Sequence, residues 1–409
     1  MRDDDTMTDG IDDRTRRRLL VAGLAGSAGF LAGCQGSDAG RTVTATSGGD
    51  GDGDSDDGGG DGEGTPGSVT EDPPWYGSGP GAFEERPVPG GTSMDEMPDL
   101  SGSLRVFSGR GEGLVGDLLA YLQERYDDLD LKVTYDTASA LAQRIDTERG
   151  NTPADVFYSV NAGALGFLAE NDRTEALPDA TASLVGEEFR DADGRWVGTS
   201  GRARTVPYNT ERLSESDVPD DIMAFPDLTA YAGEVGWAPT YSSFQGFVTA
   251  MIELEGEQAT REWLAGMQEL NVQAYSDEFP IAQAVADGDL ALGLTNHYYI
   301  QRVLAGRPDA PLATAFTEGD AGAVFNVAGA ARLAASDSQE RADLLVRHLL
   351  SSEAQEYFAI RTFEYPLVSG VDPVGRLPPI DELDVPDIEL SELSSLDDTV
   401  QVLRDEGVL

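Results

Sequence analysis

From Ser103 onward, short apolar stretches alternate with amphipathic ones, and this alternation restricts the fold more than any other feature of the chain. Leu104-Arg105-Val106-Phe107 has the pattern of a strand, while Leu114, Val115, Leu118, Leu119 and Leu122 recur at helical spacing. Leu131-Lys132-Val133-Thr134-Tyr135 reads as a second strand and Ala138 to Arg149 as a helix. Ala154-Asp155-Val156-Phe157-Tyr158 reads as a third strand, with a helix starting at Ala162. Strands joined through helices pair in parallel, so the pattern predicts an α/β fold. Roughly 300 residues exceed what one core usually holds, which predicts two lobes.

The N-terminal part reads differently. Arg16-Arg17-Arg18-Leu19-Leu20 opens an apolar stretch through Leu31, the pattern of a twin-arginine export signal. Leu31-Ala32-Gly33-Cys34 then has the form of a lipobox, whose cysteine would carry lipid. Cys34 is the only cysteine, so no intramolecular disulfide forms. The apolar run is shorter than the ~20 residues of a membrane-spanning helix. Residues 1–34 are therefore expected to be a lipoprotein signal, anchoring the chain at the outer face of the cytoplasmic membrane. Residues 35–102 are rich in Gly, Asp, Ser, Thr and Pro, and are expected to form a disordered tether. Their Asp-Gly alternation imitates a calcium loop, yet the closing glutamate is missing.

Charge excludes some partners. The 409 residues hold 75 acidic and 28 basic side chains, a net charge of −47, and Lys132 is the sole lysine. Such a surface repels nucleic acid. Hydrophobic residues make up 40% of the chain, enough for a real core. Acidic, lysine-poor surfaces resemble those of proteins from salt-accumulating halophiles, where the Debye length falls to about 3 Å at molar salt. The acidity thus reads as an adaptation to salt and says little about the ligand.

The chemistry concentrates at Asn296-His297-Tyr298-Tyr299, which follows the apolar Leu290-Ala291-Leu292-Gly293-Leu294-Thr295 and precedes Ile300 to Leu304. The order predicts a buried strand, an Asn N-cap and a helix carrying both tyrosines in its first turn. Positive potential there is expected to lower the phenol pKa values, making a pair of oxygen donors for a hard cation such as ferric iron. A Tyr-Tyr pair is usually one packed ring and one half-exposed ring, with no ligand at all. Other loops expected at the ligand-binding end of the sheets are Ser108 to Glu112, Ser159-Val160-Asn161 and Pro239 to Ser243. Ser243 opens an apolar helix, so Tyr241 also falls at a helix start. Thr199-Ser200-Gly201-Arg202-Ala203-Arg204 precedes an extended Thr205-Val206-Pro207-Tyr208, and its arginines suit either an oxyanion or a structural ion pair. Two histidines and no Gly-x-Ser-x-Gly elbow argue against a hydrolase.

Taken together, these motifs resemble the ferric-iron-binding periplasmic proteins, the substrate-binding components of iron ABC transporters. The resemblance covers Ser103 to Leu409 and rests on Val106-Phe107-Ser108-Gly109-Arg110, Pro153 to Ser159, Ser200 to Arg204, Asn296 to Tyr299 and Glu364-Tyr365-Pro366-Leu367. It implies a type II, two-lobed periplasmic-binding-protein fold with the ligand in a cleft between lobes joined by crossover strands. Lobe 1 would span about 103–205 and 324–375, and lobe 2 about 206–323 and 376–409. The resemblance implies Tyr298 and Tyr299 as iron ligands, and Tyr241 points to a three-tyrosine branch, here of haloarchaeal type. Ser108, Arg110, Arg202, Arg204, Asn296 and Glu278 are implied to hold an anion such as carbonate or to support the ligands. The family's first-lobe histidine falls on Gly111 and its first-lobe glutamate on Val160, leaving Glu112 or a water there. The implied function is capture of ferric iron by a monomer and its delivery to an ABC permease. The competing expectation is the same fold holding a phosphonate or sugar acid through its arginines. Tyr158, Tyr208, Tyr365 and His348 read as packing residues, and His297 as a support.

Overall fold

In the computed structural model, the described residues are 73–76, 86–391, 393 and 396–409. The export signal, the lipobox and Cys34 lie outside them. Among the described residues no helix is long and apolar enough to cross a membrane.

Ten strands form the frame: β1 (Gly102–Ser108), β2 (Leu129–Tyr135), β3 (Val156–Ser159), β4 (Val197–Asn209), β5 (Val235–Trp237), β6 (Gln273–Ala274), β7 (Leu292–Gly293), β8 (Thr295–Asn296), β9 (Leu312–Ala315) and β10 (Phe325–Arg332). They run in the order β2-β1-β3-β10-β4-β7-β5-β6, with β8 and β9 also on β4. β1 pairs in parallel with β2 and β3, as the helical crossovers require. β5 pairs in parallel with β6 and β7. Between these groups β10 runs antiparallel to both β3 and β4.

The long strand β4 joins the two halves. Its first part, to Ala203, pairs with β10; Arg204 and Thr205 pair with β8; Val206 to Asn209 pair with β9. Arg202 and Arg204 therefore sit within one continuous strand, not on a loop ahead of one. Successive side chains alternate across a strand, so the two arginines share a face. Gly201 is required here, because a β-carbon at this position would overlap the Phe325 ring.

The helices bury what their spacing predicts. In Glu112–Arg125, Val115, Leu118, Leu119 and Leu122 are buried, each contributing about 1.5–3 kcal/mol. Leu114, expected on that face, is exposed. His348 ends the helix Gln339–His348, and its Nε2 meets the Tyr126 hydroxyl at 2.9 Å.

The tether expectation is corrected at its C-terminal end. Trp75 is buried, donates Nε1–H to the Glu353 carbonyl at 2.9 Å, and meets the Tyr121 and Tyr357 rings edge-on at 4.7 and 5.1 Å. Arg86 forms a two-pronged ion pair with the buried carboxylate of Glu356. Ser93 Oγ and the Met94 N–H donate to Glu353, while Met94, Met97 and Leu100 enter the core. Average composition hid these few apolar and charged anchors, which strap residues 73–76 and 86–100 onto the folded body.

Candidate functional site

Two helix starts bring the tyrosines together. Tyr241 is the N-cap of Ser242–Glu255, just after β5, and Asn296 is the N-cap of His297–Gly306, just after β8. The Tyr241 and Tyr299 hydroxyls lie 2.5 Å apart. The Tyr298 and Tyr299 ring centroids are 4.3 Å apart. Tyr241 and Tyr298 are half-buried and line a cavity of about 650 Å³, while Tyr299 is buried behind them. Among the described residues, no group of three His, Cys, Asp or Glu side chains could hold a metal, so the phenols are the oxygen donors to consider.

Their protonation reverses the sequence expectation. Burial pushes the Tyr298 phenol well above the usual tyrosine range, helped by the Glu278 carboxylate and only partly opposed by Arg202. Burial also raises Tyr299, and its contacts with Tyr298 and Tyr241 raise it further. Desolvation of a phenolate outweighs the fractional charge of a helix end. The metal-free pair is neutral, with Tyr299 hydrogen-bonded to Tyr241 and Tyr298 to Asn296, and a cation must displace the protons to use these oxygens.

Asn296 occupies the N-cap position, yet its side chain does not cap the helix. Its Nδ2 donates instead to Ser243 Oγ at 2.9 Å and to the Tyr298 hydroxyl at 3.3 Å. Ser243 Oγ donates to Glu278 Oε1 at 2.8 Å, and Glu278 Oε2 accepts the Asn296 N–H at 2.8 Å. Arg204 completes this cluster through an ion pair with Glu278 and a 3.1 Å bond to Ser243. Glu278, wholly buried, thereby links the starts of both tyrosine-bearing helices to β4. Ser243 as the meeting point was missed in the sequence; its only signal was its place in a helix first turn.

The remaining expected residues separate. Arg202 lines the cavity and donates to the Val160 carbonyl. Arg110 does not line it: its guanidinium is fully buried against Glu364 at 2.6 Å and Ser200 at 2.7 Å. Ser108 is buried too, donating to the Arg110 carbonyl at 2.8 Å. Both hold the frame, so an anion-binding role for Ser108 and Arg110 does not fit their position. Glu112 opens an exposed helix start away from the lining. His297 accepts the Ala203 N–H at Nδ1 (3.1 Å) and meets the Phe363 carbonyl at Nε2 (2.8 Å). Burial lowers its pKa to about 4, so the ring is neutral, with Nε2 carrying the proton that Phe363 accepts. Tyr158, Tyr208 and Tyr365 are buried in the core.

A two-part α/β frame with a cavity at its crossover strand is the type II, two-lobed periplasmic-binding-protein fold, and the relatives that share it are solute-binding proteins, not enzymes. The model of the bacterial extracellular solute-binding protein family matches residues 151–384. The major ferric iron-binding protein of Neisseria meningitidis is 30% identical over 289 residues, which are 69% of this chain and 87% of that one. The Fe(3+)-binding periplasmic protein of Serratia marcescens is 30% identical over 291 residues, 69% and 84% of the two chains. Iron-bound HitA from Pseudomonas aeruginosa matches in structure with a TM-score of 0.65 and 27% identity, over 75% of this chain and 99% of that one. The chain belongs to the bacterial extracellular solute-binding protein family, and its relatives there are ferric iron-binding periplasmic proteins.

Proposed function

We propose that this protein captures ferric iron outside the cytoplasmic membrane through the phenolates of Tyr241, Tyr298 and Tyr299 and delivers it to an ABC permease. The observation that carries this reading is the convergence of three tyrosines from two helix starts, with the Tyr241 and Tyr299 hydroxyls 2.5 Å apart at a cavity edge. Three phenolates balance the charge of a trivalent ion, and the relatives' names support iron as the cargo. Oxygens from outside the protein fill the remaining coordination positions, carbonate being the simplest donor, with Arg202 and Arg204 beside it. The Cys34 sulfur carries the lipid anchor as a thioether, and the protein works as a monomer of the three-tyrosine, haloarchaeal type.

The test is direct loading. Purified protein is incubated with a ferric salt, desalted, and measured for bound iron and for a phenolate-to-iron charge-transfer band. About one iron per chain with visible colour is the expected result. A colourless, iron-free protein sinks the reading and favours a phosphonate or sugar acid, which the arginine lining would suit.

A further inference from the structure

His297 stands immediately before the tyrosine pair, and its ring is wholly buried with both nitrogens in use. Nδ1 lies 3.1 Å from the Ala203 backbone nitrogen, which can only donate, so Nδ1 accepts. The single proton of a neutral imidazole then sits on Nε2 and is donated to the Phe363 carbonyl at 2.8 Å. The opposite tautomer would set two lone pairs against each other at Nε2 and two N–H groups against each other at Nδ1.

The two partners lie on different sides of the crossover. Ala203 is the last residue of β4 that pairs with β10; from Arg204 the strand pairs with β8, which leads into the helix His297–Gly306. Phe363 follows a π-helical turn, Phe358–Thr362, and the next residue, Glu364, is held by Arg110 in the loop after β1. The Phe363 carbonyl therefore belongs to the β1–β3 half. Phe363 has φ +59°, in the left-handed region, which a bulky side chain adopts only where its surroundings hold it. Tyr365 extends the contact: its ring lies 4.7 Å from that of His297, and its backbone exchanges two 2.8 Å hydrogen bonds with Gly201 on β4. With the Asn296 side chain turned to Ser243, the His297 ring joins the first helical turn to both Ala203 and Phe363.

A hydrogen bond weakens steeply when it is stretched or bent. Rotation of one half against the other about β4 therefore either breaks the bond from Nε2 to Phe363 or carries the first helical turn with it. The next two residues of that turn are Tyr298 and Tyr299. We infer, resting on the iron reading above, that His297 is a positioning residue. Through the Phe363 carbonyl it couples the placement of the two halves to the geometry of the Tyr298 and Tyr299 phenols. It does not touch iron itself, because both of its nitrogens are already bound.

Asn and Gln separate the two bonds. The amide of Gln reaches the Nε2 position and can donate to Phe363, while that of Asn reaches only the Nδ1 position, where its oxygen can accept from Ala203. The inference predicts that His297→Asn weakens iron binding about tenfold and shifts the charge-transfer band, and that His297→Gln recovers most of both. Unfolding midpoints of the iron-free proteins are measured alongside; a packing role alone would make the iron losses follow those midpoints. Wild-type affinity in His297→Asn overturns the inference, and so does an equal or larger loss in His297→Gln. A second measurement needs no variant: deuterium uptake of the wild type with and without a ferric salt. Residues 297–306 and 358–366 should gain protection together. Protection of 297–306 alone overturns the coupling and leaves the iron function standing. A wild type that takes up no iron overturns the iron reading and this inference with it.

Discussion

Tyr241 and Tyr299 stand 58 positions apart in the chain and meet hydroxyl to hydroxyl at 2.5 Å. One phenol donates to the other, so at least one proton lies where a metal would sit. Because burial raises the Tyr298 and Tyr299 phenols, binding must release protons from both, and higher pH must favour loading. Iron affinity should rise with pH as the raised Tyr298 and Tyr299 phenols each give up a proton on binding. A flat profile between pH 6 and 8, in a buffer holding iron activity constant, would argue against phenolate ligation.

Glu278 sets part of that pH dependence. After burial, its carboxylate is the next cause raising the Tyr298 phenol, so Glu278→Gln should shift loading to lower pH. The same change leaves Arg204 buried without its counter-charge and should cost about 3 kcal/mol in stability. Denaturant unfolding and colour titration check the two effects separately. A loading midpoint that moves upward contradicts the assignment.

The strap makes its own prediction. Trp75→Ala removes a buried ring and its hydrogen bond to Glu353 and should cost about 3–5 kcal/mol. Arg86→Ala leaves the Glu356 carboxylate buried and unpaired, at a cost of about 3 kcal/mol. Midpoints of chemical unfolding at fixed salt measure both. If truncation up to residue 100 leaves the midpoint unchanged, the strap is not part of the folded body.

His348 gives a stability profile with a definite sign. Burial lowers its pKa from the ordinary 6.5 to about 4, so the unfolded chain takes up the proton first. Its contribution is intact above pH 6.5 and is lost as pH falls toward 4. Between pH 7 and 5 the loss is about 2 kcal/mol. His348→Gln should flatten this part of the profile, although His297, lowered to about the same value, keeps some slope. An unchanged slope would mean His348 is not held neutral.

Strand and helix alternation from Leu104 to Ala162 was readable because each element shows one periodicity. The helix starts at Tyr241 and Asn296 were readable for the same reason. The strap was not, because Trp75, Arg86 and Met94 are isolated anchors in a Gly- and Pro-rich background, and only the distant Glu353 and Glu356 give them meaning. Arg110 and Arg204 look alike in the sequence. Their separation into frame and cavity depends on Glu364 and Ser200 on one side and on Glu278 on the other. The phenol pKa direction was misjudged because a helix end is a local feature, whereas burial is a property of the whole packing.

The central claim is that Tyr241, Tyr298 and Tyr299 bind iron together. The most direct measurement is the charge-transfer band and bound iron of Tyr241→Phe, Tyr298→Phe and Tyr299→Phe, with Tyr158→Phe, Tyr208→Phe and Tyr365→Phe as buried controls. Each Phe keeps the ring and removes one anionic oxygen, so the fold should survive. The loss in affinity should exceed the about 0.5–1.5 kcal/mol of a neutral hydrogen bond. The account predicts weakened iron binding and a diminished band in all three site variants, with the controls unchanged. Wild-type iron content and absorbance in Tyr241→Phe would contradict it.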